Sequence, residues 1–505
     1  MRRINGIVLF LLMMSCQNPS TSGNRSGSAD TDSSSSGHNA SGQASAGDSS
    51  RKVRLVTLDP GHFHAALVQK SMYADVDTVV HVYAPDGPDV KFHLDRVAGY
   101  NTRAQSPTHW KEIVYTGNDF FEKMVAEKAG NTVVLSGNNQ EKVKYISGSL
   151  SAGFNVLADK PMVIFSKDFP LLEKAFSTAA DRRLLLYDIM TERFEITTML
   201  QREFSMDSVV FGQQQKGSAA SPGIVMTSAH HFYKQVSGIT LTRPAWFFDP
   251  SQQGGGLVDV MTHLVDLVQW AAFPDQAIDY RKDIKVHTGK YWPTPLSLSQ
   301  FRDITKLDSF PPYLRHPSFP TDHASSSTGN TRTPPARLSK SDTMLQVNCN
   351  GEIGYQLKGV NVRTSAIWTY KDPATADDTY YSLMRGTKAD LVIRQGAEEQ
   401  FRPTLYIEPV AVTAAYEKML TSQIKNIQTK YPGIELKKIK KGWEIIIPEK
   451  YKEGHEAHFA RVTQNFLTYL KEGNMPAWEI PGMIAKYYTT TKALEIAQQN
   501  RKTIP

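Results

Sequence analysis

The chain after about residue 50 alternates short apolar runs with amphipathic stretches. The amphipathic stretches Phe120–Gly130, Gln140–Gly153 and Phe169–Arg182 have the periodicity of helices. The apolar runs predict strands at 53–58, 78–84, 132–138, 154–160 and 183–190. Regular alternation of strands and helices is typical of a parallel, doubly wound α/β sheet, which we assign to residues 51–190.

The pattern changes at about residue 195. Apolar and polar residues now alternate, as they do in a sheet with one face open to solvent. The alternating segments are 208–217, 223–234, 343–351, 352–362 and 365–371. The sequence therefore predicts a second domain built on such a sheet.

Two further stretches complete this second domain. The segment from about 311 to 340 is dense in Pro, Ser, Thr and Gly, which predicts a long loop. Amphipathic helices at Val412–Tyr431, Glu453–Lys471 and Pro481–Gln499 flank two short strands, and we expect these helices to pack against the sheet. We assign residues 191–505 to the sheet domain with its C-terminal helices.

The run from Gly254 to Trp270 has an apolar helical pattern that begins with three glycines. Asp259, His263 and Asp266 interrupt it at spacings that place all three on one stripe of a helix. Burial of carboxylates and an imidazole is costly unless they pair or take part in chemistry. An aspartate four residues before a histidine can orient the ring and raise its basicity, as a general base requires. The alternative is a capping acid and a hydrogen-bonded core histidine.

A second segment with chemical potential ends in Asp159-Lys160-Pro161. Residues 138–162 read as a helix, a turn and a short apolar strand that leads into these three residues. Proline disfavours helical geometry at the residue before it, so we expect Lys160 at the carboxyl end of that strand. In open α/β sheets, ligands bind in the crevice beyond the strand ends.

Together and in this order, the two motifs resemble those of the Gfo/Idh/MocA oxidoreductases, named for glucose–fructose oxidoreductase and inositol dehydrogenase. The hallmarks of that family are Glu-Lys-Pro at the end of a Rossmann strand and G-G-G-x-x-x-D-x-x-x-H in a second domain. Here Asp159 replaces the Glu, and the other positions match. The resemblance covers roughly residues 51–410. It implies a Rossmann domain and a mostly antiparallel sheet whose open face forms one wall of the active site.

The resemblance also implies a catalytic set of Lys160, Asp259 and His263. His263 would take the proton of a substrate hydroxyl, and Lys160 would donate a hydrogen bond to the developing oxyanion. Asp259 would orient and polarise His263, and hydride would pass to a nicotinamide. The expected activity is hydride transfer between NAD(P) and a hydroxyl of a sugar, polyol or glycoside.

The turn after the first strand departs from the G-x-G-x-x-G pattern of dinucleotide-binding turns. Asp59 and His64 replace the first and third glycines, and Gly61 remains to let the backbone approach a pyrophosphate. An aspartate near a phosphate is unfavourable without a positive partner. His62 or His64 supplies that partner, or both face the substrate. Asp86 either accepts ribose hydroxyls or is a turn residue.

The resemblance implies NAD as the cofactor, with NADP as the alternative. We assign the following residues to cofactor binding: Gly61, His62, Phe63, His64, Asp86, Asn138, Asp159 and Lys160. We assign the following residues to substrate binding: Arg193, His231, Trp246 and Asp266. Arg193 and Phe194 match the Asn-x-x-Arg-Phe sequence common in the family, whereas Glu192 departs from it. His230 and His231 are neighbours in a strand, so at most one is expected to face the cleft.

The N-terminus has the layout of a signal peptide. Arg2 and Arg3 precede the apolar run IVLFLLMM, which ends at Ser15-Cys16 and is too short to span a bilayer. A cysteine at this point resembles a bacterial lipoprotein signal, with Cys16 as the lipidated residue; the alternative is an ordinary secretory signal. Residues 17–50 are rich in Ser and Gly and predict a flexible tether. We expect a lipid-anchored protein that faces the periplasm.

Composition and charge limit the classes of partner. The 505 residues provide room for two or three domains, and the net charge of +7 is modest. The one dense basic run, 437–441, is explained by a solvated strand or turn, so we predict no nucleic-acid binding. No set of His, Cys, Asp and Glu has typical metal spacing, and we predict no metal site. The expected partners are a small carbohydrate, the membrane through the anchor only, and a second copy through the open sheet.

Two alternatives use the same scaffold. One is an NAD-dependent glycoside hydrolase or lyase in which oxidation is transient and the cofactor is regenerated in each turnover. Lys160 and His263 would serve both activities, so their presence does not separate them. The other is a non-catalytic sugar-binding lipoprotein, which the altered glycine turn favours.

Overall fold

The computed structural model describes residues 52–236, 239–314, 344–371 and 378–502. The predicted signal peptide, with Cys16, and the predicted tether lie outside the described residues, as does most of the predicted 311–340 loop. Within the described ranges, no helix has both the length and the apolar character needed to cross a membrane.

The first layer is a six-stranded parallel sheet with helices between its strands. The strands run in the order β3-β2-β1-β4-β5-β6, so the order reverses between β1 and β4. Its elements are β1 Leu55–Leu58, α1 His64–Val68, β2 Val79–Ala84, α2 Pro88–Thr102, β3 Lys111–Thr116, α3 Phe120–Glu127, β4 Thr132–Leu135, α4 Lys142–Ser151, β5 Asn155–Asp159, α5 Phe169–Asp181 and β6 Leu186–Ile189. The doubly wound α/β prediction is confirmed. The edge strand β3 was not predicted from the apolar pattern because most of its residues are polar or exposed.

The second layer is a nine-stranded, mostly antiparallel sheet. The strands of this sheet run in the order β10-β11-β12-β7-β13-β14-β15-β17-β16. Among the described strand pairs within this second sheet, only β12–β7 is parallel. The elements of this part of the chain up to residue 314 are α6 Ile196–Met206, β7 Ile224–His231, β8 Gln235–Val236, β9 Ile239–Thr240, α7 Pro250–Gln253, α8 Gly255–Ala272, α9 Tyr280–Asp283, β10 Ile284–Ser297 and α10 Leu298–Thr305. Strands β8 and β9 pair with each other in a separate two-stranded sheet. The later elements are β11 Met344–Leu357, β12 Val360–Thr369, β13 Thr379–Arg385, β14 Ala389–Gln395, β15 Thr404–Pro409, α11 Ala414–Lys430, β16 Glu435–Ile439, β17 Gly442–Ile446, α12 His455–Glu472 and α13 Glu479–Lys502.

The strand predicted at 208–217 does not form. Gly212 and Gly217 have φ values of 80° and 59°, which place the chain in left-handed conformations that interrupt an extended segment. The segment makes only single bridges, for example between Gln214 and Gly386. Alternation of apolar and polar residues was therefore a misleading signal here.

The three glycines at the start of α8, Gly254 to Gly256, set the position of the helix on the sheet. Gly254 and Gly255 have φ values of 112° and 61°, which turn the chain into the helix. A Cβ on Gly256 would lie 2.1 Å from the carbonyl carbon of Asn350, because α8 touches the backbone of β11 at this point. Any side chain at 256 would move the helix off the sheet. The glycines thus fix the depth at which Asp259 and His263 are held.

The sequence predicted that the C-terminal helices pack against the second sheet. In the structure they contact both sheets. Phe459, Val462 and Phe466 of α12 belong to the apolar core around the parallel sheet, together with Met483 and Tyr487 of α13. Further residues of α13, such as Leu494, belong to the core of the second sheet. An amphipathic pattern identifies the buried face of a helix but not the surface that covers it. The last segment of the chain is therefore shared by both layers.

Candidate functional site

A cavity of about 690 Å³ lies at the carboxyl end of β5, where the parallel sheet meets the second sheet. The first layer contributes Lys160 and the turn residues 62–64, and α8 contributes Asp259 and His263. Strands of the second sheet supply further residues of the wall, among them Ser228, Trp368 and Tyr380. The three residues predicted as catalytic therefore line one cavity.

Lys160 and Asp259 form a buried ion pair. The Lys160 ammonium contacts Asp259 Oδ1, and both side chains are less than a tenth exposed. Burial by itself would raise the pKa of Asp259, but the charge and hydrogen bond of Lys160 outweigh it and hold this pKa below its usual value. Asp259 is therefore ionised and accepts a hydrogen bond from Lys160. Among the described residues, no hydrogen bond joins it to His263, contrary to the prediction from their spacing.

His263 is buried and faces the cavity without a protein partner on Nδ1. Burial lowers its pKa to about 4, and the nearby charge of Lys160 acts in the same direction. The imidazole is neutral at pH 7 and is able to accept a proton. The chemistry expected of His263 is therefore available without help from Asp259.

Arg193 and Asp266, predicted to bind substrate, lie in a buried ionic network and not in the cavity wall. Asp266 Oδ1 accepts from Arg193 Nη2 at 2.6 Å and from Lys486 Nζ at 2.7 Å. Arg193 also pairs with Glu479, and Lys486 with Asp188. Asp266 shares the helical stripe of Asp259 but lies about 10 Å further along the axis, where α13 covers it. Its predicted role is corrected to a structural one.

The turn between β1 and α1 uses its own backbone donors. The Gly61 N–H donates to the Asp59 carbonyl at 2.9 Å, and the His62 N–H donates to the Ser136 carbonyl at 3.0 Å. A Cβ on Gly61 would lie 2.8 Å from Asp89 Oδ2, and burial raises the pKa of Asp59 to about 6, with Asp89 adding to the effect. Two backbone N–H groups of this turn are therefore already bonded within the protein, and the carboxyl of Asp59 lies beside them.

Three polar groups converge on one carboxylate oxygen beside this turn. Asp159 Oδ2 lies 3.1 Å from His62 Nδ1, 3.0 Å from His64 Nδ1 and 2.9 Å from Ser136 Oγ. Burial alone would raise the pKa of Asp159, but the two imidazoles reverse this and hold it well below its usual value. Phe63, between the two histidines, also lines the cavity. We call His62, His64 and Asp159 the imidazole–carboxylate cluster.

A continuous crevice leads from the cavity to the end of β2. Two further cavities, of about 550 and 450 Å³, share wall residues with the first and with each other. Asp86 and Asp59 line the far cavity, and Arg243 lines all three. The crevice follows the carboxyl ends of β1 and β2 next to the point where the strand order reverses, which is where dinucleotides bind in such sheets.

Arg243 is a buried cation without an ionic partner among the described residues. Its Nε donates to the Phe232 carbonyl at 2.9 Å, and its guanidinium lies 4.4 Å from the Phe247 ring centre. Burial lowers its pKa to about 10, which leaves it charged at neutral pH. An unpaired buried charge in a crevice favours an anionic ligand. The crevice thus fits a dinucleotide through its shape and Arg243, not through the glycine turn.

The remaining predicted residues have mixed positions. His231 lines the cavity together with His230, because both lie at the end of β7, where the strict alternation of faces is lost. Trp246 lines the far cavity instead, and its Nε1 donates to Asp89 Oδ2 at 2.8 Å. Asn138 donates to Gln252 of α7 at 2.7 Å and lines none of the three cavities.

Several residues of the site were missed in the sequence. Seven of the 14 histidines line the main cavity: His62, His64, His230, His231, His263, His455 and His458. Of these, His230, His455 and His458 were not assigned to the site from the sequence. Glu192, which departs from the family pattern, also lines it and lies 3.4 Å from His455 Nε2. The His-x-His spacing at 62–64 and the His-x-x-His spacing at 455–458 were signals available in the sequence. No pattern in the sequence indicated that these two pairs of histidines line the same cavity.

Comparisons with known proteins identify the family and the fold of the chain. Residues 200–323 and 319–498 match the family described as "Putative oxidoreductase C terminal domain". A crystal structure of "a putative oxidoreductase from Parabacteroides merdae" is 51% identical, over 89% of this chain and 98% of that chain, with a TM-score of 0.82. A search of curated proteins found no match.

More distant solved structures share the fold. Levoglucosan dehydrogenase in complex with NADH and levoglucosan is 11% identical over 88% of this chain and 97% of its own, with a TM-score of 0.53. GenD2 from gentamicin A biosynthesis, in complex with NAD, is 14% identical over 89% and 95%, with a TM-score of 0.51. Both of these structures contain a nicotinamide cofactor. Because the two proteins are only 11% and 14% identical to this chain, the similarity shows that the fold is shared and shows nothing more.

Proposed function

The chain belongs to the oxidoreductase family of the Gfo/Idh/MocA type that carries this C-terminal domain, and from that membership we propose a specific activity. We propose that it transfers hydride between NAD, or NADP, and a hydroxyl-bearing carbon of a sugar, polyol or glycoside. Dehydrogenases of this fold that bind NADH and a sugar support the substrate class.

One observation carries the proposal: Lys160 from the parallel sheet and His263 from α8 line the same cavity, and this cavity opens into the crevice beside β1 and β2. A hydroxyl held between an ammonium and a neutral imidazole has a proton acceptor on one side and a hydrogen-bond donor on the other. The crevice supplies room for an elongated cofactor next to that hydroxyl.

The residues of this chain divide the work as follows. Neutral His263 accepts the proton of the substrate hydroxyl. Lys160 donates a hydrogen bond to the oxygen as negative charge develops there, and the ion pair with Asp259 holds Lys160 in place. This role for Asp259 replaces the one expected from its spacing to His263. All three side chains are less than a tenth exposed, so each of these interactions is stronger than in solution.

NAD(P), when bound, supplies the nicotinamide that accepts the hydride. Arg243 would neutralise the pyrophosphate, and Asp86 at the end of β2 would accept ribose hydroxyls. Of the other residues predicted for the cofactor, Gly61, His62 and Phe63 border the crevice, and His64 and Lys160 line the main cavity, whereas Asn138 lines neither. The cofactor-binding set proposed here is therefore narrower than the set predicted from the sequence.

The test begins with gently purified protein. Mass spectrometry and ultraviolet absorbance should detect bound NAD(H), or titration with NADH should show saturable binding. A panel of sugars and glycosides should then produce NADH with the wild type and not with Lys160→Met. Release of an aglycone without net NADH would assign the redox-assisted cleaving activity instead. Failure to bind any nicotinamide nucleotide would refute the proposal and leave the non-catalytic sugar-binding protein.

We also propose that the protein is exported and anchored by a lipid on Cys16. The signal-like layout of residues 1–16 and the polar composition of 17–50 support this. Cells fed a labelled fatty acid should label the wild type, and Cys16→Ala should remove the label and release the protein from the membrane fraction. Light scattering of the soluble domain tests the expected homo-oligomer through the open sheet.

A further inference from the structure

The imidazole–carboxylate cluster has the composition of a metal site. Two imidazoles and one carboxylate offer ligand atoms that all lie within 4.8 Å of one another. His64 and Asp159 are buried, and the side chain of His62 is 15% exposed on the cavity side. Two histidines and one carboxylate are a recurrent ligand set for catalytic zinc and for other divalent transition metals.

The distances within the cluster suit a shared cation. Two ligand atoms that each lie about 2.1 Å from a metal are separated by about 3.0 Å at a right angle and about 3.4 Å at the tetrahedral angle. Asp159 Oδ2 lies 3.1 and 3.0 Å from the two imidazole nitrogens. Both values fall at the lower end of the range expected for two ligands of one ion.

The other oxygen of the carboxylate holds it in place. The backbone N–H of Lys160 donates to Asp159 Oδ1 at 2.9 Å, which orients the carboxylate and leaves Oδ2 directed at the histidines and at Ser136 Oγ. Lys160 lies next in sequence, but its ammonium pairs with Asp259.

The cavity side of the cluster holds a further imidazole. The His455 ring lies 6.0 Å from the His64 ring, centre to centre, and its side chain is 44% exposed. His455 is the first residue of α12. The cluster thus has three protein ligands and one side that faces His455, solvent or a substrate, which is the arrangement of catalytic rather than structural metal sites.

We propose that His62, His64 and Asp159 bind one divalent transition-metal ion of the Zn²⁺ class, with an open coordination position toward the cavity that contains Lys160 and His263. In that position the ion would hold a substrate oxygen and polarise it. This inference concerns the cluster alone and does not depend on the proposed nicotinamide chemistry.

The experiment uses protein produced with a histidine-free affinity tag and stripped with a chelator. Zn²⁺ is titrated by calorimetry, and metal content is measured by mass spectrometry after dialysis. We expect one equivalent per chain, with an affinity that falls about 100-fold or more in His62→Gln. The matched control is His230→Gln, which changes another partly exposed imidazole of the same cavity that lies beside a carboxylate, Asp378. The control should bind Zn²⁺ as the wild type does.

Two outcomes overturn the proposal: no saturable Zn²⁺ binding by the wild type, or equal binding by His62→Gln and the wild type. If His62→Gln fails to fold, X-ray absorption of the Zn²⁺-loaded wild type replaces it. Scattering from two imidazoles supports the site, and fewer than two refutes it. NADH binding is measured on the same samples, so a metal-free protein that binds NADH disproves only the metal site.

Discussion

Lys160 and Asp259, 99 positions apart in the sequence, form an ion pair that joins the two halves of the protein inside the cavity wall. Each charge is buried and is stabilised mainly by the other. Removal of one partner leaves a buried charge uncompensated, whereas removal of both leaves an apolar contact. The pair therefore combines a structural role with the proposed catalytic one, and mutations can separate the two.

Lys160→Met should lower the free energy of unfolding by about 3–5 kcal/mol because Asp259 loses its counter-charge. The double variant Lys160→Met/Asp259→Leu should recover most of that stability and remain inactive. Urea unfolding and turnover assays measure the two effects. Recovery of activity in the double variant would show that Lys160 has no part in the chemistry.

His263→Gln tests the proposed proton acceptor. A positioned base contributes roughly 100- to 10,000-fold to rate, so kcat should fall within that range while NADH binding is unchanged. Turnover with a substrate found in the panel, together with NADH fluorescence titration, provides the measurement. Full turnover in this variant would assign the proton transfer to another cavity residue.

Arg243→Gln tests the unpaired cation in the crevice. A hydrogen bond to a charged group contributes about 1.5–3 kcal/mol, so affinity for ADP-ribose should fall roughly 10- to 150-fold. Affinity for adenosine, which lacks the pyrophosphate, should not change, and Arg243→Lys should retain part of the ADP-ribose affinity. Equal losses for both ligands would indicate damage to the crevice and not a lost anion contact.

Asp266→Asn separates a structural role from the substrate-binding role expected in the sequence. The variant leaves Arg193 and Lys486 with less compensating charge, so the free energy of unfolding should fall by about 3 kcal/mol or more, and KM should not change. Asp275→Asn breaks a pair with Arg202 in which Asp275 is 61% exposed, and it should cost less than about 1 kcal/mol. A raised KM with normal stability would restore the substrate-binding assignment.

His93 predicts an acid-sensitive contribution to stability. Both ring nitrogens are buried without a partner in the described structure, and burial lowers the pKa of His93 from 6.5 to about 4. Between these values the unfolded chain binds a proton that the folded chain does not. Stability is therefore fully present above pH 6.5 and is lost as the pH falls toward 4. Relative to His93→Leu, the wild type should lose on the order of 3 kcal/mol across this window in urea unfolding. If the free energy of unfolding falls equally with pH in the wild type and in His93→Leu, His93 is not the cause of the loss.

The sequence predicted the two layers of the fold, and it predicted that Lys160, Asp259 and His263 lie together. Both predictions were possible because local patterns in the sequence place these strands and side chains. Apolar runs located the buried strands, and the position before proline located Lys160 at a strand end. Edge strand β3 was not predicted, because a strand at the edge of a sheet does not require a run of apolar residues. Spacing on a helix correctly put Asp259 and His263 on one stripe.

The partners of these residues were not predictable in the same way. Helical geometry brought Asp259 close to His263, but a cation from another layer competes for the carboxylate and binds it. Asp266 lies on the same stripe at a different depth, where Arg193 and Lys486 meet it. Arg243 lies in a segment without periodicity, so only the assembled crevice reveals its position. Such pairings depend on contacts between residues far apart in the chain.

The docking of α13 on both layers has a consequence for synthesis on the ribosome. Asp188, in the edge strand β6 of the parallel sheet, receives hydrogen bonds from Lys486 and from Tyr487, which lies 299 positions further along the chain. Until these residues emerge, the carboxylate has no counter-charge among the described residues, and part of the apolar surface of the sheet stays uncovered. The parallel sheet is therefore completed long after its own strands are made, and a chain that stops before α13 exposes it to proteases and chaperones.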